Sequence, residues 1–152
     1  MRFFVLLFVA GALVAVPLES YKPKPLANLQ QIMRGIALPN SNIIFDVQSK
    51  PPKDEMEWKT VENAAMAIAE FANLVTIPGR VRENGQPVPV HRADWNRYAQ
   101  GLVSAGQACY KAAQTRKPDA VAKCTDPLSD SCSNCHDVYR DRPEPAADTK
   151  KK

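Results

Sequence analysis

Apolar residues recur along much of this chain at alternating steps of three and four positions, the spacing of one face of an α-helix. The pattern is clearest in two long stretches without proline, residues 53–77 and 90–117. Both are predicted to be amphipathic helices. The inward stripe of the first comprises Trp58, Val61, Ala65, Ile68, Ala72 and Val75, and that of the second comprises Trp95, Tyr98, Leu102, Ala105, Cys109 and Ala112.

Two shorter proline-free stretches, 26–38 and 128–142, complete the predicted set of helices. The first keeps the same spacing at Leu26, Leu29, Met33 and Ile36. Because proline interrupts helices, Pro39–Pro52 is expected to be a long connection. The last helix is expected to begin near Asp126, with Pro127 in its first turn.

Four amphipathic helices and no β-rich run predict an all-α fold, an antiparallel four-helix bundle over residues 21–142. Before it, Arg2 precedes an uncharged apolar run from Phe3 to Val16, which is too short to cross a bilayer. This pattern is typical of a secretory signal peptide, so residues 1–20 are assigned to one with an ambiguous cleavage site. The tail 143–152 has no apolar periodicity and is expected to be disordered.

Composition and charge narrow the function classes. The 152 residues carry a net charge of +4, and no basic stripe interleaved with aromatic residues indicates nucleic-acid binding. Four cysteines accompany only two histidines. Export to the periplasm would place these cysteines where they can be oxidised, and the chain would remain at the membrane only if the N-terminal segment is retained.

The sequence Cys132-Ser133-Asn134-Cys135-His136 has the Cys-x-x-Cys-His form that attaches c-type haem. Residues three apart share a helix face, so both thiols can form thioethers with the two haem vinyl groups. His136 is then the proximal iron ligand. A thioredoxin-like site would need a βαβ context, and a zinc site would need a second pair of ligands; the chain offers only scattered Cys109, Cys124 and His91.

With this motif in its last helix, the chain resembles the class II c-type cytochromes, the cytochrome c-prime family. The resemblance covers residues 25–142 and rests on LQQIMRGIALPNSNIIFDV, EWKTVENAAMAIAEFANLVTIPGR, ADWNRY and CHDVYR. It is strongest to the low-spin branch and implies that Met33 is the distal iron ligand. Arg140 matches the family's ending and is a candidate partner for a haem propionate, ahead of Arg34, Arg80 and Arg97. Cys109, Cys124 and Pro127 depart from the family pattern.

A hairpin turn is expected at Lys117-Pro118, and Cys109 and Cys124 lie equally far in sequence from a midpoint near position 116.5, just before those residues. If the third and fourth helices are antiparallel, the two residues are level with one another, and oxidation outside the cytosol would join them. We therefore expect a disulfide between them. The alternative is two separate buried thiols.

These expectations combine into a monohaem c-type cytochrome that carries single electrons in the periplasm and is not an enzyme. It would bind one covalent haem c and dock transiently with redox proteins as donor and acceptor, and it could form a homodimer as many family members do. The alternative function is a five-coordinate haem protein that binds nitric oxide or carbon monoxide. Elsewhere, His91 is expected at the surface, and Trp58 and Trp95 in the core.

Overall fold

The computed structural model describes residues 21–140, so the predicted signal segment and tail lie outside the described residues. The prediction of an all-α fold is confirmed. No helix within 21–140 is long and apolar enough to cross a membrane. The elements are α1 (Leu29–Ile32), a π-helical turn (Met33–Ala37), α2 (Leu38–Asp46), α3 (Glu55–Leu74), α4 (Ala93–Gln114) and α5 (Pro118–Tyr139).

Helix α3 agrees best with the sequence. All six residues of its predicted stripe are buried. Asp54 caps its N-terminus by accepting a 2.9 Å hydrogen bond from the Glu57 amide, and acidic residues in the first turn suit the positive end of the helix dipole.

Helix α4 is buried on two sides because it packs against both α3 and α5. Of its predicted stripe, Trp95, Ala105 and Cys109 are buried and the other three residues are partly buried. Ala99, Gly106 and Ala113 beside the stripe are buried instead. The closest approach to α3 is at Gly106, where an added Cβ would lie 2.7 Å from the backbone nitrogen of Ala69.

The prediction that the first helix ends before Pro39 is wrong. The helical path continues through Pro39 to Asp46. Proline lacks an N–H and its ring clashes with the carbonyl four residues earlier. The π-helical turn before α2 accommodates this clash, since the Leu38 amide bonds to the Met33 carbonyl five residues back.

The start of the first helix is also corrected. Asn28 and Gln31 form a reciprocal capping box, so the helix begins at Leu29. Leu26 precedes it and is fully exposed rather than on the inward stripe.

Helix α5 begins at Pro118 rather than near Asp126, so Pro127 lies inside it instead of in its first turn. Pro118 occupies the first turn, where a missing N–H costs nothing. Pro127 deprives the Lys123 carbonyl of its usual amide donor. Both residues are exposed, so water can satisfy that carbonyl.

The connection from α3 to α4 is tied down by a buried arginine. Gly79 and Gly85 adopt positive φ angles of 86° and 79°, which glycine tolerates best. The turn at Asn84-Gly85 brings Val81 and Pro87 together in an antiparallel bridge. Arg80 donates hydrogen bonds to the carbonyls of Ala27 and Leu74, and so links this connection to both the start of α1 and the end of α3.

The opposite end of the molecule is held by an ion-pair network. Arg116, at the turn between α4 and α5, has a positive φ of 58° and binds Glu55 and Glu62 of α3. The Glu62 carboxylate is buried and also accepts a 2.9 Å hydrogen bond from Lys59. Hydrogen bonds from Lys59 and Arg116 keep the pKa of Glu62 below its ordinary value.

A disulfide joins Cys109 of α4 to Cys124 of α5, with the two Cα atoms 5.3 Å apart. Both residues belong to the first of two core clusters, which also contains Ile44, Trp58, Ile68, Val121 and Leu128. The second cluster contains Ile32, Phe71, Val75, Val88, Trp95 and Ala99. The core is thus divided along the length of the helices.

Replacing Gly106 with alanine should destabilise the protein by about 1–3 kcal/mol, because the new methyl group meets the Ala69 backbone. Gly101→Ala is the matched control on the same helix. Its Cβ would lie 3.5 Å from the Ser131 oxygen, and better helix propensity should stabilise the protein by up to about 1 kcal/mol. Urea unfolding measures both; equal effects would contradict the close approach.

Replacing Cys109 and Cys124 together with alanine should lower the free energy of unfolding by about 3 kcal/mol, the value expected for closing a loop of this length. Thermal unfolding of the double variant beside the parent chain measures the loss. A non-reducing peptide map in which both residues accept an alkylating reagent without reductant would contradict the disulfide.

Candidate functional site

The Cys-x-x-Cys-His motif occupies the last two turns of α5. Val121, Cys124 and Leu128 form the buried stripe of this helix, and steps of four, three and four continue it to Cys132, Cys135 and Tyr139. Both thiols therefore lie on the face that the helix turns to the core. Unlike the residues before them, Cys132 and Cys135 are only half-buried.

These thiols lie between the two core clusters. Helix α5 joins the first cluster through Leu128 and packs against the second through Tyr139. The intervening length of helix is about 16 Å, at 1.5 Å per residue. The inward side chains on this length are those of Cys132 and Cys135, with His136 half-buried beside them and Ser131, whose hydroxyl oxygen is buried, directly before them.

Both thiols are held in their protonated form. Burial raises the pKa of Cys132, and burial together with the neighbouring Cys132 thiol raises the pKa of Cys135 to about 11. Cys135 also lies about one turn from the negative end of the α5 dipole, which disfavours a thiolate. A redox-active Cys-x-x-Cys pair works through a thiolate at neutral pH, so this environment disfavours thiol–disulfide chemistry.

The imidazole of His136 is favoured in its neutral form. Burial lowers its pKa, the positive charge of Arg140 lowers it further, and Asp137 opposes the shift. A neutral imidazole keeps the lone pair with which histidine binds a metal. Arg140 itself is exposed at the C-terminal cap of α5, and its amide donates to the His136 carbonyl at 3.1 Å.

A hydrogen-bonded group that the sequence reasoning missed anchors the end of α5 to the start of α4. The Tyr139 hydroxyl donates to Asp94 at 2.8 Å and accepts from Arg92 at 2.9 Å, while Arg92 also donates twice to Asp94. These bonds hold the pKa of Asp94 well below its usual range. The Tyr139 ring packs edge-on against Trp95, with centroids 4.9 Å apart, and against Tyr98 at 6.2 Å.

Met33 lies in the π-helical turn, half-buried against the second cluster. Tyr139 packs against the same cluster, so Met33 and the motif occupy the same half of the molecule. Met56 and Met66 on α3 are exposed. Among the described methionines, only Met33 packs against the core.

The remaining sequence candidates lie apart from the motif or are already engaged. His91 is exposed before α4, and Trp58 and Trp95 are buried as expected. Arg80 is committed to two backbone carbonyls, which makes it a structural residue. Arg34 is exposed, and the Arg97 guanidinium lies 5.6 Å from the centre of the Tyr98 ring.

Within residues 21–140 no group of three or more His, Cys, Asp or Glu side chains is arranged to hold a metal ion. The donors available near the motif are the two thiols, one imidazole and, in the same half of the molecule, one thioether. Comparison of the chain with protein-family models, curated proteins and solved structures found no match.

Replacing Asp94 with asparagine should lower the stability of the protein at neutral pH and reduce the loss of stability between pH 7 and pH 3. The folded-state pKa of Asp94 is depressed, so its stabilisation is present above the unfolded value of about 3.9 and is lost as pH falls further. Urea midpoints at pH 7 and pH 3 measure the effect. Asp130→Asn, at an exposed position on α5, is the control and should behave as the parent; an equal acid dependence in all three proteins would refute the anchor.

Proposed function

We propose that this protein is a monohaem c-type cytochrome of the class II type that carries single electrons and is not an enzyme. The carrying observation is the Cys-x-x-Cys-His motif on the inward face of α5, where the two thiols and the imidazole are neutral and half-buried. That donor set, on one helix face and between two core clusters, fits a covalently attached haem.

The packing of the helices supports an antiparallel four-helix bundle. If α1, the π-helical turn and α2 are taken as one helix, α3 packs against this helix and against α4, and α4 packs against α5. Contacts between α2 and α5 connect the last helix back to the first. This circular order of neighbours is what a bundle with short connections requires.

In this proposal each side chain has a defined task. The Cys132 and Cys135 sulfurs would form the thioether bonds, and His136 would supply its imidazole to the iron. A bound haem would provide an iron that can be ferric or ferrous. Met33 would offer a thioether as a further ligand, a ligand type that favours ferrous iron and raises the reduction potential. Tyr139, through Asp94 and Arg92, fixes the end of the helix that carries the histidine.

A five-coordinate protein that binds nitric oxide or carbon monoxide is the second candidate. One observation leaves room for it: Ile32 is buried, whereas Met33 is only half-buried, so packing against the core does not by itself fix the Met33 thioether as a ligand. Under either function, export through residues 1–20 would place haem attachment in the periplasm.

The full chain, produced in a host that matures c-type cytochromes, should carry haem that survives denaturing electrophoresis. Cys132→Ala with Cys135→Ala should abolish this haem, because both attachment points are lost. Cys109→Ala with Cys124→Ala, the other cysteine pair, should retain it. A parent chain without covalent haem would refute the proposal.

Met33→Ala should convert the absorption spectrum from six-coordinate to five-coordinate and open the ferrous iron to carbon monoxide, because the thioether ligand is removed. The ferric long-wavelength charge-transfer band of methionine-ligated haem should disappear. Met56→Ala, at an exposed methionine, is the matched control and should leave the spectrum unchanged. An unaltered spectrum in Met33→Ala would favour another ligand, and a parent chain that already binds carbon monoxide would favour the second candidate.

A further inference from the structure

The π-helical turn changes which residue of the first helical segment enters the core. In an uninterrupted α-helix, successive residues are about 100° apart, so Met33 would lie within about 20° of Ile44 and Ile32 about 120° away. A π-helical turn absorbs one extra residue. Ile32 is then within about 20° of Ile44, and Met33 is displaced to about 80°.

The observed burial follows this shifted register. Ile44 and Ile32 are 0% and 8% exposed, whereas Met33 is half-buried. A methionine at the Ile32 position would have its sulfur enclosed by neighbouring side chains. At its actual position, Met33 contacts the second cluster and keeps part of its surface free for another partner.

Three local features maintain the wide turn. Pro39 has no amide hydrogen for the carbonyl four residues earlier, so a regular α-helical turn is blocked there. The Asn40 side chain donates a 2.7 Å hydrogen bond to the Ile36 carbonyl inside the turn. Gly35 also lies in the turn. An added Cβ there would meet open space, so close packing does not require a glycine at this position. The low helix propensity of glycine favours an irregular turn.

We infer that Pro39 and the π-helical turn are positioning elements for Met33. They hold its thioether beside the buried stripe, where it is available as a ligand, instead of inside the stripe, where packing would occupy it. The assignment of the ligand rests on the proposed function; the register of the turn does not.

The test uses the full chain with Pro39→Ala, alone and combined with Gly35→Ala. Both changes favour a regular α-helix, and the open space at Gly35 accepts the methyl group. Pro118→Ala is the matched control, since Pro118 is also in the first turn of a helix but has no π-helical turn before it. Thermal unfolding verifies that each variant is folded. If Pro39→Ala does not fold, Gly35→Ala alone is used as the test variant.

In the haem-loaded protein, the regularised variants should keep covalent haem, lose the methionine charge-transfer band and bind carbon monoxide, while Pro118→Ala resembles the parent. An unchanged band in folded regularised variants would overturn the inference. This result differs from failure of the proposed function, in which the parent chain carries no covalent haem.

The register is measured separately by peroxide oxidation and peptide mapping, with exposed Met56 and Met66 as internal references. In the haem-free Cys132→Ala/Cys135→Ala background, checked by thermal unfolding, regularising the turn should slow the oxidation of Met33 several-fold relative to Met56. Pro118→Ala should leave the ratio of the Met33 to the Met56 oxidation rate as it is in the haem-free parent background. If that ratio is also unchanged in the regularised variants, the turn does not control the burial of Met33, and the inference is overturned.

Discussion

One face of α5 must serve both as packing surface and as the surface that carries the Cys132 and Cys135 thiols, and much of the structure follows from this constraint. At one end of this face the Cys124 disulfide and Leu128 hold the helix in the first core cluster. At the other, Tyr139 holds it through Asp94 and Arg92. Between these attachments the thiols are positioned by the helix backbone, so they can remain half-buried without loosening the helix.

The other helices are arranged to make this possible. Gly106 lets α4 approach α3 closely, which gives α5 a firm neighbour on one side. At the turn before α5, Arg116 joins the chain to α3 by a hydrogen bond to Glu62. Near the opposite end, Arg80 joins the connection before α4 to the start of α1 by a hydrogen bond to the Ala27 carbonyl. Burial lowers the pKa of Arg80. Its hydrogen-bond acceptors are carbonyls rather than a carboxylate, so they do not offset this lowering with a negative charge.

Periodicity predicted α3 and α4 well, because both are long and each has a buried stripe that tertiary contacts do not override. The expectation that proline ends a helix failed at Pro39 and Pro127, because the effect of a proline depends on its surroundings. A widened turn accommodates Pro39, and water can satisfy the carbonyl that Pro127 leaves without a donor. The missed contacts, Gly106 with Ala69 and Tyr139 with Asp94, join residues far apart in sequence. The motif itself was readable because its spacing is local, whereas the surroundings of Met33 depended on a one-residue shift in register.

The pairing of Cys109 with Cys124 also bears on the chemical maturation of the chain. The protein has four cysteines, and this pairing leaves Cys132 and Cys135 as the reduced pair. A disulfide across a hairpin closes a short loop, so it can form while the rest of the chain is still folding. Once the chain has folded, burial raises the pKa of the two remaining thiols and so lowers their thiolate fraction, which disfavours their attack on the finished disulfide. The fold therefore separates oxidation of one cysteine pair from the fate of the other.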